Sequence, residues 1–361
     1  MRLKAITLRD YRNYSEAYIE PCEGVTVFMG DNAQGKTNIL EAVYLCCTGR
    51  SHRTSRDREL IRMGQDTAYV KATGVRADGT HEVEIALNQA GKRRIKVNGS
   101  PVGRSGELLG HITGVLFSPE DLRMVKDGPA VRRRFIDMEL SQLRPAYYYA
   151  LQRYNRALKQ RNALLKDCAL NDASVETLDL WDSELALSGS EIIHSRKAFC
   201  ERLNECARKI HSSITNGAET LEIKYEPNVA PGESTTETAE CIKSALISSR
   251  ESDLRRAATG KGAHHDDMGI YIGDMDARLY GSQGQVRTCA LSLKLSEIEI
   301  ISAESGEAPV LMLDDVMSEL DAQRRAAVVS FIEEGIQTII TTTNLGYFSQ
   351  EMVDAAKVVG F

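Results

Sequence analysis

The segment Gly30-Asp-Asn-Ala-Gln-Gly35-Lys36-Thr37 has the spacing G-x-x-x-x-G-K-[ST], which suits the capture of a nucleoside triphosphate. Glycines let successive backbone N–H groups turn inward onto phosphate oxygens, and the N-terminus of the following helix adds positive partial charge. Asp31, Asn32, Ala33 and Gln34 supply the intervening backbone, and Asn38 continues into the helix. Lys36 reaches the β- and γ-phosphates, while the Thr37 hydroxyl is a ligand for Mg²⁺. ATP and Mg²⁺ are thus the expected cofactors. Such a loop needs an acidic partner on a neighbouring strand to hold the metal, and Asp314, directly after the apolar run Val310-Leu-Met-Leu313, meets that need. Asp315 is next in line to orient or deprotonate the attacking water. Its side chain is one methylene shorter than glutamate, so slow hydrolysis is expected. The competing role for Asp315 is that of a helix-capping carboxylate.

These residues require a particular set of elements. Val25-Thr-Val-Phe-Met29 is nearly continuous in apolar character, as expected of a strand covered on both faces, and it leads into the glycine-containing loop. The helical run Asn38-Ile-Leu-Glu-Ala-Val-Tyr-Leu45 follows. Residues 310–313 and 338–340, the latter ending in Thr341-Thr-Thr343, read as further central parallel strands. Residues 3–8 read as a first strand. Between 68 and 97 short strands are punctuated by Asp78-Gly79 and closed by Asn98-Gly99, dipeptides that accept positive φ in tight turns; an antiparallel meander is expected there.

From Pro129 the period becomes helical. Val131, Phe135 and Met138 form one stripe; Tyr147, Leu151, Tyr154, Leu158 and Leu165 continue it. Leu178, Leu185, Ile192, Phe199 and Cys206 recur every seven residues, with Leu203 and Ile210 alongside. Two long helices folding back at 171–174 are expected, as an antiparallel arm or an ordinary helical subdomain. Residues 231–238 read as a polar loop, followed by a return to strand-like runs. The expected class is α/β, a P-loop ATPase head with an inserted α-helical arm. The head would comprise 1–125 (P-loop and β-meander) and 265–361, with the arm at 126–264.

The chain has 361 residues, 42% hydrophobic and 27% charged, enough for a large core and two units. No basic-then-apolar leader follows Met1, and nowhere do eighteen apolar residues run consecutively, so a cytoplasmic protein with no membrane association is expected. Eight cysteines without a C-x-x-C pair read as buried thiols. A net charge of −6 confines any nucleic-acid surface to a local patch. Three basic runs offer one: Arg50, His52, Arg53, Arg56, Arg58 and Arg62; Lys92, Arg93, Arg94 and Lys96; and Arg132 to Arg134. If the chain binds DNA, Arg50, Arg53, Arg56, Lys92, Arg93 and Arg94 are the candidate contacts, through phosphate and shape rather than base edges; the competing reading of each run is a solvated face.

Three further places narrow the class. Ser282, Gln283, Gly284 and Gln285 look like the signature loop of ABC-type ATPases, and Ser318-Glu-Leu-Asp321 looks like their D-loop, with Asp321 closing it. In that superfamily the signature loop of one protomer covers the γ-phosphate held by the other. Beyond it, the chain resembles the RecF family of bacterial recombination and repair proteins over nearly its whole length. The resemblance is carried by Leu8-Arg-Asp-Tyr-Arg-Asn-Tyr14, the phosphate loop through Asn38, Thr48-Gly-Arg-Ser51, Phe117-Ser-Pro-Glu-Asp121, Arg132-Arg-Arg-Phe-Ile-Asp137, Ser282-Gln-Gly-Gln-Val-Arg287 and Leu313-Asp-Asp-Val-Met-Ser-Glu-Leu-Asp321.

The resemblance implies an SMC-like head and an ATP-dependent homodimer on gapped DNA and single-/double-strand junctions. It also implies weak, switch-like ATPase activity and a role in replication, DNA-damage repair and the SOS response, with RecR and RecO promoting RecA loading. An ATP-binding subunit of an ABC transporter is the alternative. Gly262-Ala-His-His-Asp-Asp267 departs from the family's usual Gly-Pro-His-Arg-Asp-Asp at Ala263 and His265. The switch histidine is replaced by Thr342 or Thr343, and the Q-loop glutamine has no counterpart near 117–120. His264, His265, Asp266 and Asp267 could alternatively be metal ligands.

Overall fold

A computed structural model of the chain describes residues 1–171, 177–333 and 335–361. In chain order the elements begin with β1 (Arg2–Tyr11), β2 (Tyr14–Ile19), β3 (Val25–Met29) and α1 (Lys36–Thr48). The strands β4 (Thr67–Arg76), β5 (Gly79–Asn88), β6 (Arg93–Val97), β7 (Ser100–Val102) and β8 (Gly114–Phe117) follow. Next come α2 (Pro129–Leu143), α3 (Pro145–Asn171), α4 (Leu178–Ile214), β9 (Leu221–Glu226) and α5 (Thr235–Arg256). The remainder is β10 (Asp267–Ile272), β11 (Met275–Asp276), α6 (Ala277–Tyr280), α7 (Gln283–Ser305), β12 (Val310–Asp314), α8 (Ala322–Glu333), β13 (Thr338–Thr342), α9 (Gln350–Ala355) and β14 (Lys357–Gly360).

One compact unit consists of Met1–Val125, Cys206–Thr220 and Gly281–Phe361. It contains a five-stranded sheet of order β14-β3-β13-β12-β8, parallel throughout. Every residue of β12 and β13 is buried, which is why these stretches carry apolar and threonine side chains on both faces, with Asp314 alone charged at the end of β12. Because the strands point the same way, the loops leaving β3, β13 and β12 meet at one edge, where ligands of open α/β sheets bind. The second sheet, β2-β1-β4-β5-β6-β7, is antiparallel and alternates along β4 between buried and more exposed positions. Asn98 (φ 51°) and Gly99 (φ 78°) make the β6–β7 turn.

The other unit is Lys126–Glu205 with Leu221–Tyr280. Tyr147 bonds Arg196, Arg153 bonds Glu191 and Arg161 bonds Asp182, so numbers rise on α3 as they fall on α4, and the two helices run antiparallel. The turn expected between them lies, beyond Asn171, outside the described residues. Leu178, Leu185, Ile192, Phe199, Leu203 and Ile210 are all buried, whereas Val131, in phase with Phe135 and Met138, is exposed.

Three expectations are corrected. The second head segment starts at Gly281 rather than 265, because β10 pairs with β9 and belongs to the other unit. Residues 206–220, expected in the arm, belong to the head. Residues 235–256 form a helix, capped by the Ser234 side chain accepting from Glu237 N–H, where the end of a polar loop and a return to strand-like runs were expected. Among the cysteines, Cys46, Cys47, Cys200 and Cys289 are buried, but Cys22, Cys168 and Cys206 are only half-buried and Cys241 is exposed.

Candidate functional site

The phosphate loop bridges β3 and α1. Its last glycine, Gly35, is the N-cap of α1 at φ 103°, and no side chain caps the helix, so its first N–H groups are open to an anion. A Cβ at Gly35 would lie 2.3 Å from Asn13 Nδ2, so both backbone and space require glycine. The turn between β1 and β2 clasps the loop. Asn13 Nδ2 donates to Gln34 O (3.1 Å), Tyr14 Oη to Gly35 O (3.1 Å), and Asn38 Nδ2 to Asn13 Oδ1 (2.8 Å). Lys36 is buried and folds back over the loop, donating to Asp31 O (2.8 Å) and to Gly30 O.

Across β13 lies the acidic side. Thr37 Oγ1 and Thr341 Oγ1 both donate to Asp314 Oδ1, each at 2.7 Å, and Asp314 is buried. Asp315 sits at φ 50°, an αL position that Asp tolerates better than most residues, and its N–H donates to Thr341 O (3.1 Å). It occupies the N-cap of the short 3₁₀ segment Val316–Glu319, yet its side chain makes no capping bond there. Its Oδ1 is buried without a hydrogen-bond partner. Burial pushes the Asp315 carboxyl above its ordinary value; Lys36 opposes that shift and the Asp314 charge adds to it.

Thr37, Asp314 and Asp315 line a cleft of about 240 Å³, shared with His52, Arg53, Pro119 and Glu120. A hydroxyl and two carboxylates, one with an unpaired oxygen, are the hard oxygen donors that Mg²⁺ takes, so the residues present fit that ion. His52 and Arg53 were not legible as cleft residues. Arg53 was expected at DNA, but its Nη1 donates to Asn38 Oδ1 (2.9 Å) beside the phosphate loop. Burial pushes the His52 imidazole below its ordinary value, against the charges of Glu41 and Asp314, which favours the neutral form.

Glu41, fully buried on α1, joins these parts. It accepts from Arg12 Nε (2.8 Å), Arg12 Nη2 (2.6 Å) and Ser51 Oγ (2.5 Å). Burial works against its charge, but the bonds from Arg12 and Ser51 prevail and hold its carboxyl below the ordinary value. Breaking such a buried pair costs about 3–5 kcal/mol. The Glu41 hub therefore fixes the β1–β2 turn and the loop after α1 on the helix that carries Lys36 and Thr37.

Of the other expected DNA contacts, Arg50, Arg56, Lys92 and Arg94 are exposed. Arg93 instead grips both oxygens of Asp57 and the Gly49 carbonyl. That grip sews β6 to the loop after α1 and sets the first two basic runs side by side. In the third run, Arg132 is buried against Asp267 (2.8 and 2.7 Å), and Arg133 donates to Asp266 O (2.6 Å).

Ser282 is the N-cap of α7, and Ser282 and Gln283 are exposed. Its Oγ accepts from Gln285 N–H (3.2 Å), and Gln285 Oε1 accepts from Ser282 N–H (2.9 Å), a reciprocal capping box. Arg324 of α8 donates to Gly284 O (2.6 Å) and Thr288 Oγ1 (2.9 Å) and pairs with Asp321. Residues 282–285 are therefore tied to the Asp321 turn within one chain, and none of them lines the acidic cleft.

A family model described as the RecF/RecN/SMC N-terminal domain matches residues 2–360. The chain is 44% identical over 360 residues to the DNA replication and repair protein RecF of Lachnospira eligens, covering 99% of this chain and 97% of that one. The chain belongs to this family. Against RecF of Clostridium perfringens the identity is 42% over 362 residues, with 99% and 97% covered. A solved structure of the recombination mediator protein RecF-ATPrS in the RecFOR pathway superposes with TM-score 0.91 at 39% identity, covering 96% of this chain and 94% of that one. The Smc head domain of Pyrococcus furiosus shares the fold alone, with TM-score 0.56 at 17% identity and 99% and 93% covered. The fold is thus the ABC-type, SMC-like P-loop ATPase head, and the RecF relatives do not favour the transporter-subunit alternative. No helix among the described residues is long and apolar enough to cross a membrane.

The segment that departs from the family pattern is a buried hub of its unit. Asp266 accepts from Tyr225 Oη (2.5 Å), Arg196 Nη1 (3.0 Å) and Asn228 N–H (2.9 Å). Tyr154 Oη lies 2.6 Å from His264 Nδ1, and burial pushes that imidazole down to about 4. His265 Nε2 faces the Thr259 carbonyl (3.2 Å). Each group that could have bound a metal there is engaged with protein instead.

Proposed function

We propose that the chain is an ATP-switched DNA clamp of recombinational repair. ATP binds on the phosphate loop of each of two copies, and the Ser282–Gln285 turn of each copy closes over the γ-phosphate of the other. The observation that carries this reading is the division of the site: Thr37, Asp314 and Asp315 share one cleft, whereas residues 282–285 are rigidly capped, partly exposed and outside it. Lys36, freed from the Gly30 and Asp31 carbonyls, neutralises the β- and γ-phosphates. Thr37 and Asp314 would hold Mg²⁺, which would supply charge stabilisation at the phosphates. Asp315, its oxygen unpaired and its carboxyl raised, takes the proton of the attacking water. Its short reach supports slow turnover, which suits a switch better than a high-flux enzyme.

DNA lies on the adjoining basic runs, with Arg50, Arg56, Lys92 and Arg94 meeting phosphates. The likeness to a mediator of the RecFOR pathway supports gapped or junction DNA as the target, RecR and RecO as partners, RecA loading as the outcome and the cytoplasm as the place. The test is the mass in solution with and without ATP and gapped DNA. Doubling on ATP, with DNA bound only by the doubled species, is expected. Equal DNA binding without nucleotide would defeat the reading.

A further inference from the structure

Gln285 performs two tasks with one side chain. Its Oε1 accepts from Ser282 N–H, and its Nε2 donates to Glu219 Oε1 at 2.9 Å. The other Glu219 oxygen lies 3.2 Å from Nε2 of His211, a fully buried residue near the C-terminal end of α4. His211 Nδ1 is in turn 3.2 Å from Ser292 Oγ, further along α7 from Gln285. Both oxygens of Glu219 are therefore fixed, one by the histidine and one by the amide.

The consequence lies in amide chemistry. A terminal amide has two flips, one presenting oxygen to a given neighbour and one presenting N–H. An ionised carboxylate only accepts, so Glu219 selects the flip that turns Gln285 Oε1 toward Ser282 N–H. The capping box is thereby locked. The Ser282 Oγ then takes the Gln285 backbone N–H, which leaves its hydroxyl proton, the one proton that side chain can offer an anion, to point outward.

We propose that Glu219, backed by His211, is a positioning residue that presents Ser282 to the nucleotide of a second copy. The inference rests on the in-trans reading of Ser282 given above. Its test compares Glu219→Ala, Glu219→Gln and Ser282→Arg in the full chain. Glu219 is only partly buried, with a side chain 25% exposed, so its replacement leaves the fold standing.

For Glu219→Ala, ATP affinity should stay as it is, while ATP-dependent self-association and kcat each fall about tenfold, the worth of one hydrogen bond to a charged group. KM should be unchanged. Backbone hydrogen exchange should quicken at residues 282–286 and nowhere else. Glu219→Gln, whose oxygen still accepts from the Gln285 amide, should recover most of the loss. Unaltered association, kcat and exchange in Glu219→Ala, beside a Ser282→Arg variant that no longer associates, would overturn this inference alone. A Ser282→Arg variant that associates normally would remove the in-trans reading and the inference with it.

Discussion

The phosphate loop and the signature turn belong to one unit and are built by opposite means. The loop, with Asp314 and Asp315, sits at the edge of buried parallel strands, and its shape is set by glycine space, a clasping hairpin and the Glu41 hub. The turn is held mostly by side-chain hydrogen bonds, from Ser282, Gln285, Glu219 and Arg324, at the open end of α7. A site welded into a core loses chemistry when a residue is changed. A site hung on polar bonds loses position, and loses it in increments of about 1–3 kcal/mol.

Substitutions can separate these two behaviours. Asp315→Asn keeps the cleft and its charge partners but removes the base, so kcat should fall by about 10²–10⁴ while ATP-dependent association persists; single-turnover kinetics beside sedimentation would read both. If association disappeared too, the core site would not be separable from closure. Lys36→Ala removes a charge-assisted bond to the phosphates, and calorimetry should show ATP affinity about tenfold to a hundredfold weaker, with association abolished at cellular ATP. Unchanged affinity would mean that the ammonium stays on the Gly30 and Asp31 carbonyls when nucleotide binds. The smallest effect is expected at the surface. Lys92→Ala with Arg94→Ala should lower the slope of log affinity against log salt by about one for each phosphate left without its cation, leaving ATP binding alone. An unaltered slope would take DNA off that face.

Much of the core site was readable because its elements are nearly continuous: 25–29, 310–313 and 338–340 are apolar but for Thr26 and Thr338, and the phosphate motif follows the first of them directly. What escaped reading depends on distance along the chain. Asn13 meets the loop across 21 residues and Arg12 meets Glu41 across 29, with no local spacing to announce either pairing. Arg53 carries the same charge whether it faces DNA or a nucleotide cleft, so its type alone could not decide. The helix α5 was missed because its buried positions include Thr238 and Asp253 beside Ile242 and Leu246, which blurs the stripe. The Glu219 link joins the end of one helix to the start of another and leaves no periodic trace at all.

The order of the parallel sheet bears on how the protein is made. β3, which carries the phosphate loop, is flanked by β13 and β14, and β8 by β12. On the ribosome β3 emerges early, but every strand that will flank it comes more than 300 residues later. Until then its backbone hydrogen-bonding groups and apolar faces lack their final neighbours, a state prone to mispairing in proportion to the delay. Nascent chains halted before Val310 should therefore aggregate or recruit chaperones, and the ability to hold ATP should arrive abruptly, only with the last part of translation.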